Sequence, residues 1–146
     1  MTNSLTELFL RDLNRLRNEL AQYQNHEILW QTHHGISNSG GHLALHLIGN
    51  LNHWVGALLA KTGYIRDKIN EFEGKPVPVS YLLQEIDSLK RLVQKELNKL
   101  SIEDLQGPFP GPIPYELNFE GFLLHLYAHF SYHLGQINYH RRILDK

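Results

Sequence analysis

Four stretches of this chain carry apolar residues at every third or fourth position, and three stretches between them do not. A period near 3.6 predicts helices, here over residues 4–24, 42–61, 81–100 and 121–144. In the first, Leu5, Leu8, Phe9, Leu13, Leu16 and Leu20 form the apolar stripe, while Arg11, Asp12, Arg15, Arg17 and Glu19 face water. Ser4 and Glu7 have capping-box spacing and predict the start of that helix. The third helix repeats the scheme with Leu82, Leu83, Ile86, Leu89, Leu92, Val93, Leu97 and Leu100, after Ser80 as its expected cap. The second and fourth differ: HLALHLIGNLNHWVGALLAK and GFLLHLYAHFSYHLGQINYHRRIL are apolar nearly all round, which predicts burial rather than a half-exposed position.

The links are irregular. Residues 25–41 hold His33, His34, Gly35, Asn38, Gly40 and Gly41, with Trp30 and Ile36 expected to tuck into the core and Ser39 to cap the second helix. In residues 62–80, Gly63 is expected to stop the second helix, Arg66, Asp67, Glu71 and Phe72 fall where a short helical turn fits, and Gly74, Pro76 and Pro78 forbid a long element. Residues 101–118 are broken by Pro108, Pro110, Pro112 and Pro114, and Tyr115, Leu117 and Phe119 are expected to cover one end of the helices. The expected fold is all-α: a four-helix bundle with medium-length irregular connections, in one domain over 1–146.

Composition narrows the function. Fourteen Lys plus Arg nearly balance fifteen Asp plus Glu, which offers no broad field for nucleic acid or anionic lipid. No stretch is long and apolar enough to span a membrane, and the short apolar run at Leu8–Leu10, followed by Arg11 and Asp12, does not read as a signal peptide. The absence of cysteine excludes disulfides, thiolate metal sites and cysteine nucleophiles, and fits a reducing compartment. A cytoplasmic protein is expected.

The unusual feature is the set of ten histidines. His125, His129 and His133 fall four apart and stack along one face of the last helix. His42, His46, Asn50 and His53 form a matching stripe on the second helix. Neutral imidazole is the commonest protein metal ligand. Neighbours four apart are about 6 Å apart along the axis and the outer pair about 12 Å. With metal–nitrogen bonds of about 2.1 Å, one ion can take two adjacent imidazoles and needs a third ligand from another helix. Other templates fit less well. His26–Glu27 lacks the second histidine of HExxH, with Trp30 in its place. The Glu-x-x-His pairs of di-iron bundles and a glycine-rich phosphate loop are missing, and neither stripe holds the acid of a Ser–His–acid triad. Haem between two facing histidines suits the paired stripes less well than a three-histidine site.

HLIGNLNHW in the second helix and HFSYHLGQI in the fourth, with RDKINEF between them, resemble the DinB/YfiT-like superfamily of metal-binding four-helix bundles, and its uncharacterised bacterial branch in particular. The resemblance covers nearly the whole chain. It implies a metal site of one ligand from the second helix and an H-x-x-x-H pair from the fourth, which fall on His46, His129 and His133. His53 is the rival to His46; His42, His125 and His140 are extra. It also implies a divalent ion, zinc or nickel, with an open position, and a homodimer. The resemblance implies two activities, transfer of a low-molecular-weight thiol and metal-dependent hydrolysis; thiol transfer to a small electrophile is the first expectation, with His125, His53 or Asn50 positioning substrate or shuttling protons. A metal-dependent hydrolase and a non-catalytic, metal-stiffened dimer are the alternatives.

Overall fold

Each apolar stripe becomes a helix in the structure, a computed structural model that describes residues 2–146. The elements are α1 (Thr2–Ala21), α2 (Gly40–Leu51), α3 (Lys68–Glu73), α4 (Val79–Leu97), α5 (Ile102–Gln106) and α6 (Phe119–Leu144), with a 3-10 turn at Ile28–Trp30. There is no strand among the described residues. The long helices form a ring in which α1 touches α4 and α6, and α2 touches the same two from the opposite corner. The core lies inside it, with Phe9, Leu13, Leu16 and Leu20 of α1 meeting Leu82, Ile86, Leu89 and Val93 of α4, Leu47 and Leu51 of α2, and Phe122, Leu126 and Phe130 of α6.

One buried polar cluster ties α1 to α6. Asp12, 1% exposed, accepts from Arg11 Nε at 2.8 Å, Arg15 Nη1 at 3.1 Å and the Tyr127 hydroxyl at 2.9 Å. A buried carboxylate is costly without such donors. Arg11, which its spacing assigns to water alone, also reaches the Tyr127 hydroxyl at 2.7 Å.

Several local expectations are corrected. The first helix already runs from Thr2, so Ser4 lies inside it rather than capping it. Ser80 is likewise inside α4, whose cap is Pro78: its φ of −58° suits the turn, and its carbonyl accepts from Tyr81 and Leu82. Ser39 does cap α2, accepting from the His42 amide. The chain leaves the second helix not at Gly63 but at Lys61, which itself takes a left-handed φ of 55°. Trp30 packs partly buried against the core as expected, whereas Ile36 does not join it, and Leu29 and Tyr23 are the apolar side chains fully buried there. Phe109 joins Phe119 and Phe122 to close one end of the bundle, while Tyr115 and Leu117 stay partly exposed. The proline-rich link also holds α5, started by a capping box between Ser101 and Asp104.

Two deviations matter for function. Helix α6 is not buried all round: Leu124, Tyr132, Tyr139 and Ile143 make an exposed row, 46–66% accessible. An outer helix of a bundle always has one side to water, and the apolar residues there mislead the burial reading. The second helix also widens after Leu51 into a π-helical segment, Asn52–Leu59, with the Ala60 amide bonded back to Val55. Its looser winding retards the side-chain rotation, so the residues beyond Leu51 leave the face an α-helix would assign them.

Phe130 is 1% exposed and packs edge-on against Phe9 at 6.5 Å. Phe130→Ala should cost about 3–5 kcal/mol, read as a lower urea midpoint with an unchanged slope.

Candidate metal centre

The contact between α2 and α6 brings His46 to face His129 and His133. His129 and His133 are one helical turn apart with ring centroids 4.6 Å apart; His46 lies 4.9 and 5.1 Å from them. The ring planes are mutually steep, at 73°, 89° and 80°. One nitrogen from each ring falls within 4.8 Å of the other two. His125, a further turn back along α6, is not part of this group, as the helical rise requires.

Outer partners set the tautomers. A carboxylate only accepts, so His46 donates Nδ1–H to Glu71 Oε1 at 2.9 Å and turns the Nε2 lone pair inward, 2.9 Å from His129 Nε2. His133 donates Nδ1–H to Gln136 Oε1 at 2.6 Å, which leaves its Nε2 free. His129 Nδ1 is buried with no partner. Lone pairs on His46 Nε2 and His133 Nε2, with His129 Nδ1 buried and unpaired, fit a divalent cation, since neutral imidazoles provide ligand nitrogens without adding charge. This set of three can hold one such ion and leaves part of its coordination sphere to another molecule.

Glu71 comes from α3, started by the Asp67 side chain, which accepts from the Asn70 amide. Its carboxylate also takes a two-toothed bond from Arg66, Nε to Oε2 and Nη2 to Oε1, each at 2.8 Å. Burial alone would raise the Glu71 carboxyl; the hydrogen bonds from Arg66 and then His46 outweigh it and hold the group below the ordinary carboxylate value. The acid therefore stays ionised and keeps the His46 proton on Nδ1. Phe72 lies against the His46 ring, with centroids 4.6 Å apart.

Two features of α2 admit this arrangement. Gly49 faces Glu71 so closely that a Cβ there would overlap the carboxylate. His42 donates Nε2–H to the Gly74 carbonyl at 2.9 Å while its Nδ1 accepts from the Ser39 hydroxyl at 2.9 Å, which pins the far end of α3. So of the two histidines four apart on α2, one faces the cluster and the other fastens the helix that orients it.

A cavity of about 200 Å³ opens beside the imidazoles, with His46, Asn50, His125 and His129 in its lining. Larger cavities, of about 250, 360 and 420 Å³, lie elsewhere, and none of the three is lined by these rings. His53 is not in the lining; Trp54 takes that place, and the His53 ring packs beside it at 4.6 Å. The π-helical winding explains the exchange, because His53 falls in line with His46 only on an unbroken α-helix. His140 sits apart, accepting from the Tyr23 hydroxyl at 2.7 Å and donating to the Gln31 carbonyl at 2.8 Å, as a core residue with both nitrogens occupied. His33 and His34 are exposed.

Residue spacing assigns no site role to Glu71, Arg66, Phe72 or Lys68. The signal lies in RDKINEF, where an arginine five residues before a glutamate on a short helix can return to it.

Burial, with neighbouring His133 and His46, pushes His129 down to about 4, and burial also lowers His133. A depressed imidazole stays neutral when folded while the unfolded chain takes up its proton near 6.5. Metal-free protein should therefore be most stable above pH 6.5 and lose stability steadily toward about pH 4. Urea midpoints across that range should flatten in His129→Gln. Gly49→Ala supplies a second check. Glycine to alanine in a helix ordinarily stabilises by about 1 kcal/mol. Here it should displace Glu71 and weaken zinc binding by about 10–100-fold in competitive chelator titration.

A search of curated proteins found no match for this chain. The family model described as the DinB superfamily matches residues 8–137, a span that runs from the first turns of α1 to the last turns of α6 and takes in all three clustered histidines. The all-helical bundle agrees with that match, and the chain belongs to the DinB superfamily.

Proposed function

We propose that the protein is a metal-dependent enzyme that transfers a low-molecular-weight thiol to a small electrophile, with His46, His129 and His133 as the ligands of a divalent ion such as zinc or nickel. The observation that carries this reading is that two of the three clustered imidazoles, His46 and His129, lie in the wall of a cavity, while His129 Nδ1 is buried without a partner. A site that only stiffened the bundle would need no adjoining space and would close its coordination with protein ligands. A divalent ion bound there lowers the pKa of a thiol or a water molecule at its open position and so supplies a nucleophile near neutral pH.

The residues of the chain do the rest. Glu71 and Arg66 hold His46 in one tautomer, and Gln136 does the same for His133. Trp54, Phe122 and Tyr115 restrict the cavity to a small or slender molecule. In the transfer, the thiol sulfur bonds to the electrophilic carbon and the leaving group departs with its electron pair. The thiol proton goes to His125 or to water. His125 suits that task because its ring, held between Tyr115 and Phe122, makes no hydrogen bond among the described residues and lines the cavity. With no cysteine in the chain, the thiol comes from a cosubstrate.

Protein purified without a histidine tag or nickel column should carry about one divalent ion per chain by elemental analysis. Loaded protein should consume thiol with a panel of small electrophiles. His129→Ala should lower turnover by at least about 100-fold, and His140→Gln, far from the cavity, should keep the activity of whatever fraction folds. Ester hydrolysis without thiol would redirect the reading to a hydrolase. Metal-dependent folding with neither activity would reduce the ion to a structural role.

A further inference from the structure

We propose that the cavity beside the three imidazoles seats a small organic acid, with its carboxylate held by Asn50, Lys68 and His125 and its flat apolar body against Trp54, Tyr115 and Phe122. The inference rests on the proposed function, in which this cavity receives the substrate, and it names the chemical class of that substrate.

The polar groups of the cavity are the reason. Asn50, on α2, is 8% exposed, and its side-chain amide makes no hydrogen bond among the described residues. Lining the cavity and bonded to no protein group, that amide can donate to a molecule placed there. The His125 ring is also without a hydrogen bond there. Lys68 is exposed and makes no ion pair among the described residues. No carboxylate lines the cavity, and Glu71, the acid that faces the imidazoles, is already occupied by Arg66 and His46. Arg66 is neutralised by the same pair. The cavity is left with one uncompensated cation and two groups able to donate hydrogen bonds, facing a space with no negative charge of its own. A carboxylate can accept from all three, and Lys68 supplies the opposite charge.

The walls select the body. Trp54 and Phe122 meet edge to face at 4.8 Å, and Tyr115 lies over His125 at 4.4 Å. Flat aromatic faces around about 200 Å³ favour a small planar molecule over a branched or highly hydrated one.

Benzoate and its uncharged counterpart benzamide test this directly. The full chain has two tryptophans, so a Trp30→Phe background leaves Trp54 as the reporter. Titrations should be run with zinc-loaded and with metal-free protein. Benzoate should quench Trp54 and bind about tenfold more tightly than benzamide. Lys68→Gln and Asn50→Ala should each weaken benzoate about fivefold or more and leave benzamide within about twofold. Equal binding of the two probes would overturn the proposal. So would a benzoate preference that appears only with zinc and ignores both substitutions, since the ion alone would then read the charge. The transferase reading fails separately: benzoate binding that depends on Lys68 and Asn50, in a protein that never consumes thiol, would leave the acid pocket standing.

Discussion

A carboxylate shut away from water must have its oxygens filled, and Glu71 has both filled by two groups of opposite purpose. Arg66 supplies the charge that keeps the acid ionised. His46 supplies the proton that fixes its own tautomer. The cluster of imidazoles depends on this one contact. If the acid were neutral or displaced, the His46 ring could turn or exchange its proton between nitrogens, and its inward lone pair would no longer be assured. The close approach of α3 to the backbone of α2 at Gly49, and the bond from His42 to Gly74, keep that acid in place from both sides.

The bundle then divides its histidines by geometry. One turn of α6 can present two rings to a common point, and the third must come from the helix across the core. His125 is displaced along the axis and lines the cavity; His140 lies beyond the cluster in the other direction and is absorbed into the packing with Tyr23 and Gln31. The same stripe thus provides a cavity residue, two ligand candidates and a core residue, in order along the helix. Burial lowers His129 to about 4 and shifts His133 in the same direction, which favours the neutral rings that donate lone pairs.

The π-helical turn after Leu51 decides which side chain completes the cavity. An α-helix would have carried the stripe on from Asn50 to His53; the wider turn offers Trp54 instead. An aromatic wall replaces a titratable one, and the cavity gains an apolar side opposite its polar one. Such a widened turn has no simple signature in residue spacing; the segment packs on α4, and its Trp54 meets Phe122 of α6.

Local rules made part of this protein legible in its chain. The apolar period marks four long helices because each must bury one stripe, and spacings of four place His129 beside His133 whatever surrounds them. The choice of His46 over His53 rests on resemblance to relatives, and the juxtaposition itself belongs to the packed helices. Helix ends are less legible: Ser4 and Ser80 have the chemistry of caps, but both helices start before them, α4 at the fixed φ of Pro78. Tertiary structure alone decided that Glu71, twenty-five residues from His46, would orient it, that His53 would leave its stripe, and that apolar residues of α6 would face water. Periodicity records which residues share a face of their own element. Which face meets which is settled only when whole helices pack, and a contact across such a gap leaves no trace in spacing.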